Sequence, residues 1–310
     1  MRVSVVICTH NRAAVVADAV EPALAQARAA GGELLVVDNA STDDTAAVLQ
    51  ALARRLDGPL RIVQEERLGL SAARNRGLGE ARGAIVVYLD DDAIPHPGWL
   101  DALLAPYDDA AVACVGGRIV LRFPSTPPRW LHPVLYAQLS AFDLGDEPRD
   151  VRYGQANYPY GANISFRVER ARALGGFSTA VGPRGRHQLV HDETDLCYRL
   201  EHAGGVIRYA PAAVVDHCVL LERLTPQWML ERAWTGGLSA AVFILRNRHL
   251  LRALWRIWWL YGRALATLPY APREPIDPER FARECQRREA LGYVVGLARA
   301  VPHLRQLRAA

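Results

Sequence analysis

Four apolar runs punctuate the first part of the chain: VSVVICT from Val3, ELLVVD from Glu33, LRIVQ from Leu60 and AIVVYLD from Ala84. Most of their positions are apolar in succession rather than in alternation, as in strands covered on both faces. Alanine-rich stretches of helical length separate them, from Ala13 to Ala30, Thr42 to Leu56 and Ser71 to Ala81. This alternation predicts an α/β fold, a mostly parallel sheet flanked by helices and joined by right-handed crossovers. Ligands of such sheets bind beyond the carboxyl ends of the strands. The polar clusters fall there: THNR after the first strand, DNASTDDT after the second and DDD after the fourth. Ser41 or Thr42 with Asp43 and Asp44 also suits a helix N-terminus, so part of the second cluster reads as capping.

From about residue 123 to 160 the periodicity lapses into proline and aromatic residues (RFPSTPPRW, NYPYGAN), which reads as a functional lid. ANISFR then predicts a strand, DETDLCYRLEHAG a helix closed by Gly204 and Gly205, and GVIRYAP and AVVDHCV two further strands. Beyond Thr225 the pattern is helical throughout. At its centre Arg246, Arg248, Arg252, Arg256 and Arg263 interleave with apolar residues and with Trp255, Trp258 and Trp259. A basic helix carrying Trp suits a membrane interface, and an amphipathic helix packed on a domain explains the same pattern. Two regions follow: a catalytic domain at residues 1–222 and a helical extension at residues 223–310 that contacts acceptor, membrane surface or partner.

Composition narrows the setting. The 310 residues are half hydrophobic, enough for a large core, and the net charge of +4 gives no case for nucleic acid. The cysteines Cys8, Cys114, Cys197, Cys218 and Cys285 are scattered and odd in number, which argues against a disulfide framework or a cysteine zinc site. VSVVIC is too short for a signal-peptide core, and no run reaches the roughly 18 to 20 apolar residues of a spanning helix. A reducing, cytoplasmic setting is expected, with the tail on the inner face of the membrane.

The chemistry centres on Asp90, Asp91 and Asp92, three adjacent carboxylates at the end of a buried strand. Their mutual repulsion is relieved most directly by a bound cation, and hard oxygen ligands select Mg²⁺, Mn²⁺ or Ca²⁺.

Taken in order, VVICTHNR, LLVVDNASTDDT, GLSAARNRGL, VVYLDDDAIPHPGWL, GANISFR, LGGF, HDETDLCYRL and VVDH resemble the motif series of family 2 glycosyltransferases over about residues 3–220. The resemblance implies a GT-A fold and inverting transfer from a nucleotide-diphospho-sugar, most often a UDP-sugar, to an acceptor hydroxyl, with a lipid-linked acceptor among the candidates. The family's D-x-D motif falls on Asp90 and Asp92: Asp92 would ligate Mn²⁺ or Mg²⁺ at the donor diphosphate, and Asp90 would sit near the ribose or the same metal, with Asp91 between them. Asp38 matches the acid that contacts the base, unless it is a turn former in DNAST. Thr9, Asn11 and Arg12 match the nucleoside-lining stretch, and Arg74 and Asn75 the nucleotide-site helix, although helical arginines more often face solvent. Gly161 and Asn163, in GAN, match the segment lining the donor sugar, where glycine permits close backbone approach to a ligand.

The base that takes the acceptor's proton comes, in that family, from an E-D pair at a helix start. Here the pair is exchanged, as Asp192 and Glu193. Alignment on DLCYRL gives Glu193 the position, and Asp192, with His191 beside it, is the alternative. Asp195 reads as a helix-start acid. His217 matches a histidine that completes the metal shell, or else is a structural residue after a strand. Other enzyme classes fit less well: CTHNRAA lacks the glycines of a nucleotidyltransferase loop, and Ile94 stands where a D-D-x-x-D motif needs its last acid. A catalytically inactive sugar-nucleotide binder or membrane-recruited scaffold remains the rival from another class.

Overall fold

The computed structural model describes residues 2–155, 157–179, 183–184, 187–188, 190–247, 254, 262, 269–272 and 275–301. They form two compact units. The first comprises Met1–Arg122, Ser140–Ser178 and Glu193–Cys218, and the second Phe123–Leu139, Thr179–Asp192 and Val219–Ala310.

The first unit opens with β1 (Val3–Thr9), α1 (Val16–Ala29), β2 (Glu33–Asp38), α2 (Thr45–Arg55), β3 (Leu60–Gln64), α3 (Leu70–Glu80) and β4 (Ile85–Asp90). These are the predicted strands and helices in their predicted order. Helix α1 starts later than expected because the Arg12 carbonyl accepts from both the Val15 and Val16 amides, turning the chain before the helix begins. There follow β5 (Ala93–Pro95), α4 (Trp99–Leu104), β6 (Val112–Arg122), β7 (Arg149–Asp150), β8 (Asn163–Arg167) and α5 (Val168–Ala173). The second unit contributes the small hairpin β9 (Pro183–Arg184) and β10 (His187–Gln188), and then come α6 (Asp192–His202) and β11 (Val206–Cys218).

The strands of the first unit make one sheet in the order β3-β2-β1-β4-β8-β6-β11-β5, with β7 on β11. Its first four are parallel, and β8 runs antiparallel to both β4 and β6. Val5, Val6, Ile7, Leu34–Val37 and Val86–Leu89 are almost wholly buried, which accounts for the unbroken apolar runs.

GVIRYAP and AVVDHCV are one strand rather than two. β11 pairs with β6 along its length, but its register shifts between Ala210 and Val214 because Pro211 has no N–H to give the ladder. Asn163 staples this bulge: its Nδ2 donates to the carbonyls of Arg118 (3.0 Å) and Ala213 (2.8 Å). Past the bulge, His217 pairs with Ala93 of β5, and the Cys218 amide donates to the Asp92 carbonyl at 2.8 Å. The end of β11 thereby fixes the acidic run.

The irregular stretch is divided. Residues 123–139 belong to the second unit, whereas Phe142 bridges to Ile119 and Tyr158 donates to Glu201 within the first. In the second unit, helices α7 (Pro226–Asn247) and α8 (Pro278–Ala300) pack around Ala241, Ile244, Tyr293 and Leu297. Their backbones nearly touch: a Cβ added to Gly237 would lie 2.0 Å from the Glu289 carbonyl, and one on Gly292 2.3 Å from that of Trp234. Arg246 ends α7 in its last turn. Arg248, Arg252, Arg256 and Arg263 and the three tryptophans of the basic segment lie outside the described residues.

Candidate active site

Strand register brings the polar clusters to one edge. Thr9 pairs with Asp38 and Cys8 with Asp90, so β1, β2 and β4 end together. At that edge, ligand atoms of Asp90, Asp92 and His217 all lie within 4.8 Å of one another. His217 Nε2 is 3.2 Å from Asp92 Oδ1, both side chains are almost wholly buried, and the buried Nδ1 has no hydrogen-bond partner. Two carboxylates and an imidazole form a donor set that suits Mn²⁺ and is acceptable to Mg²⁺, so these residues fit the ion that the sequence led us to expect.

Asp91 lies between the two acids and is buried. Desolvation, with repulsion from Asp92, pushes its carboxyl up to about 7 against the opposing pull of Thr9 and Arg12. The Arg12 guanidinium is 3.8 Å away, a loose contact for an ion pair.

Arg74 joins this cluster to helix α6. Its side chain is only 4% exposed, with Nη2 3.6 Å from Asp90 Oδ1 and Nη1 3.5 Å from Glu193 Oε2. The guanidinium lies over the Phe177 ring at 5.6 Å, and the Arg74 carbonyl accepts from the Tyr88 hydroxyl at 2.9 Å. Glu193 Oε1 accepts from the Gly161 amide at 3.4 Å. An acidic triad at the carboxyl edge of a parallel sheet, an imidazole beside it and an acid joined to it through arginine thus converge at one edge of the sheet.

The sequence profile described as "Glycosyl transferase family 2" matches residues 4–175. The chain belongs to this family of glycosyltransferases. It is similar to a glucosyl-dolichyl phosphate glucuronosyltransferase of Haloferax volcanii, 28% identical over 251 residues that span 79% of this chain and 78% of that protein. A pre-mycofactocin glycosyltransferase of Mycobacterium tuberculosis is 34% identical over 182 residues, 58% of this chain but 36% of the relative. Among solved structures, a mannosyltransferase of Pyrobaculum calidifontis in complex with GDP-Man and Mn²⁺ superposes with TM-score 0.58 at 23% identity, over 99% of this chain and 78% of that one. GalNAc-T7 with UDP, GalNAc and Mn²⁺ superposes with TM-score 0.62 at 17% identity, over 98% of this chain and 57% of that one. The fold is GT-A.

Within this family 2 glycosyltransferase, several sequence-predicted residues are occupied elsewhere. Asn163 donates twice to the β11 bulge, its Oδ1 accepts from Trp99 Nε1 at 2.8 Å, and it is fully buried, so it braces the sheet instead of lining the donor. Asn75 is likewise engaged within the protein. Its amide donates to the Phe177 carbonyl (2.7 Å) and accepts from the Phe177 N–H (2.8 Å), clamping the LGGF turn. Gly161 closes on Arg74: a Cβ there would sit 1.8 Å from Arg74 Nη2, so the space it leaves is filled by that arginine. Arg74 is buried and does not face solvent. Asp195 is fully buried against Arg199 at 2.8 Å, an i,i+4 pair rather than a simple helix-start charge.

Asp38 is almost wholly buried, accepting from the Ser41 amide at 3.2 Å and from Gln64 Nε2 at 3.0 Å, so turn formation is part of its work. Asn11 has φ 54°, and its Oδ1 accepts from the Thr42 amide at 2.7 Å, tying the first loop to the second. Thr9 is buried beside Asp91. Asp192, the first residue of α6, is buried, whereas the Glu193 side chain is 15% exposed.

Sequence reasoning assigned no role to Asn39 or Phe177. Asn39 bonds the Glu65 and Arg67 carbonyls and the Gly69 amide, joining the loops after β2 and β3. Phe177 carries Arg74, and the signal for it was the aromatic that ends LGGF.

Proposed function

We propose that this glycosyltransferase is metal-dependent and inverting, and that it moves a sugar from a nucleotide-diphospho-sugar to an acceptor hydroxyl in a single displacement. The observation that carries the reading is the convergence of Asp90, Asp92 and His217 on one point, with Glu193 tied to the same cluster through Arg74. Asp92, Asp90 and His217 would hold Mn²⁺ or Mg²⁺, which as a Lewis acid stabilises the negative charge that develops on the departing diphosphate.

Glu193 is the base. Its carboxylate is partly open whereas Asp192 is buried, and its extra methylene extends it from the helix start. As the acceptor oxygen attacks the anomeric carbon, its proton passes to a Glu193 oxygen. The bond to the diphosphate breaks with its electron pair, inverting the centre. Thr9, Asn11, Arg12 and Asp38 frame the nucleoside end of the site, with Asp38 able to accept from a base N–H through its remaining lone pairs.

A UDP-sugar is the leading donor and a GDP-sugar the alternative. A lipid-linked acceptor is supported by the dolichyl phosphate in the name of the Haloferax relative. No helix of the described residues is long and apolar enough to cross a membrane. The Arg- and Trp-bearing tail therefore suggests contact with the cytoplasmic membrane surface, which liposome flotation would detect as binding that weakens with salt.

Thermal shift with UDP-, GDP- and dTDP-sugars in Mn²⁺ identifies the donor, since only a ligand preferring the folded state raises the melting point. Turnover of that donor should fail in Glu193→Gln and survive in Asp192→Asn. The opposite result transfers the role to Asp192.

A further inference from the structure

Arg74 stands in a motif whose resemblance assigns it to the nucleotide, yet its surroundings describe a different task. Its guanidinium is almost wholly buried, with Asp90 on one side, Glu193 on the other and the Phe177 ring beneath. Its Nη2 lies against Gly161, where the absence of a side chain leaves the volume that this nitrogen fills. Gly161 then uses its own amide on the other oxygen of Glu193. The backbone of Arg74 is also anchored, through its carbonyl and the Tyr88 hydroxyl. These contacts set the guanidinium between two carboxylates.

We infer that Arg74 and Gly161 form a positioning device for Glu193, so that Arg74 governs the rate of transfer and not the affinity for donor. The inference rests on Glu193 being the base. A carboxylate that meets a guanidinium with one oxygen, here at 3.5 Å, and a backbone N–H with the other, at 3.4 Å, has its orientation restricted, with lone pairs left to accept the acceptor's proton. Such fixing matters because small misplacements at a reacting group cost large factors in rate. A methyl group at 161 would meet the guanidinium at 1.8 Å, so the arginine would have to shift from between the two acids.

The test separates kcat from KM. The donor selected by the thermal-shift screen is turned over with water as acceptor, and UDP or GDP binding in Mn²⁺ is measured by calorimetry as a reading of the nucleotide site and of folding. Arg74→Met should lower kcat at least tenfold while nucleoside diphosphate affinity stays within threefold. Gly161→Ala should do the same, and the double variant should be no more than about twofold slower than the worse single one, because both remove one device. Arg74→Lys should restore part of kcat, and it reads the same split if Arg74→Met does not accumulate folded. In a Glu193→Gln background, Arg74→Met should have no further effect on the residual rate. A tenfold loss of nucleotide affinity with kcat unchanged, or multiplicative effects of the two substitutions, would overturn the proposal and return Arg74 to the nucleotide site. Full activity in Glu193→Gln alone would instead remove the base assignment, a failure distinguishable from the first because it appears without touching Arg74.

Discussion

Two buried carboxylate sites lie at opposite ends of the same sheet, and the protein treats them in opposite ways. At the amino end of β2, Glu33 is almost wholly buried, but it accepts from the Ser4 hydroxyl at 2.7 Å, the Arg82 amide at 3.0 Å and Arg61 at 3.0 Å. Burial raises its carboxyl, yet these donors outweigh burial and hold it below the usual range. At the carboxyl end of β4, Asp91 is as deeply placed, and there desolvation and the Asp92 charge prevail, raising it to about 7. An acid with a full set of donors is structural. Asp91 is crowded by other acids, with the Arg12 guanidinium 3.8 Å away, and so carries a repulsion that Glu33 does not.

The contrast is sharpened most by Asp92→Asn, for which turnover should fall about a hundredfold or more, as when a group stabilising transition-state charge is removed. Its melting point should hold or rise, because a repulsive charge has gone. A parallel loss of stability would place Asp92 with Glu33. The converse substitution, Glu33→Gln, should cost about 2 kcal/mol in urea unfolding, the scale of a hydrogen bond to a charged group, and leave turnover intact. Because the folded Glu33 carboxyl lies below its unfolded value, its stabilisation is present above pH ~4.5 and disappears as pH falls through the folded value. Acid unfolding of Glu33→Gln should lack that component. Next, Mn²⁺ at a hundred times its dissociation constant should stabilise the wild type by about 2.7 kcal/mol and Asp92→Asn much less, whereas Glu33→Gln should respond like the wild type. Smallest, Asp195→Asn should lower stability by about 1 kcal/mol, since it weakens a partner of Arg199.

Much of the first unit was legible because its signals are local. Consecutive apolar residues specify β1, β2 and β4 wherever both faces are covered, and each strand's last residues reach the edge by register alone. The acidic cluster was legible for the same reason, and His217, singled out by the family resemblance, lies inside β11 and not after it. What sequence spacing did not reveal was where individual polar side chains turn. Asn75, Gly161 and Asn163 stand in motifs expected to face the donor, but their partners, Phe177, Arg74 and Ala213, come from distant segments, and only the folded chain brings these together. The fusion of two expected strands into β11 was hidden likewise, because Pro211 looks like a terminator until Asn163 is seen bonding the backbone around it.

The bulge in β11 works as a parity device. Its partner strand advances from Gly117 to Arg118 while β11 advances from Ala210 to Val214, so the pairing parity of the two strands changes while Ile207, Tyr209, Ala213, Val215 and His217 keep to the buried face. Deleting a single residue between the bulge and His217, with the strand ends held, would invert the side chains that follow and present the thiol of Cys218 where the imidazole of His217 now meets Asp92. The donor set proposed for a hard ion would thereby be rewritten as one suited to softer metals, by a change in chain length alone.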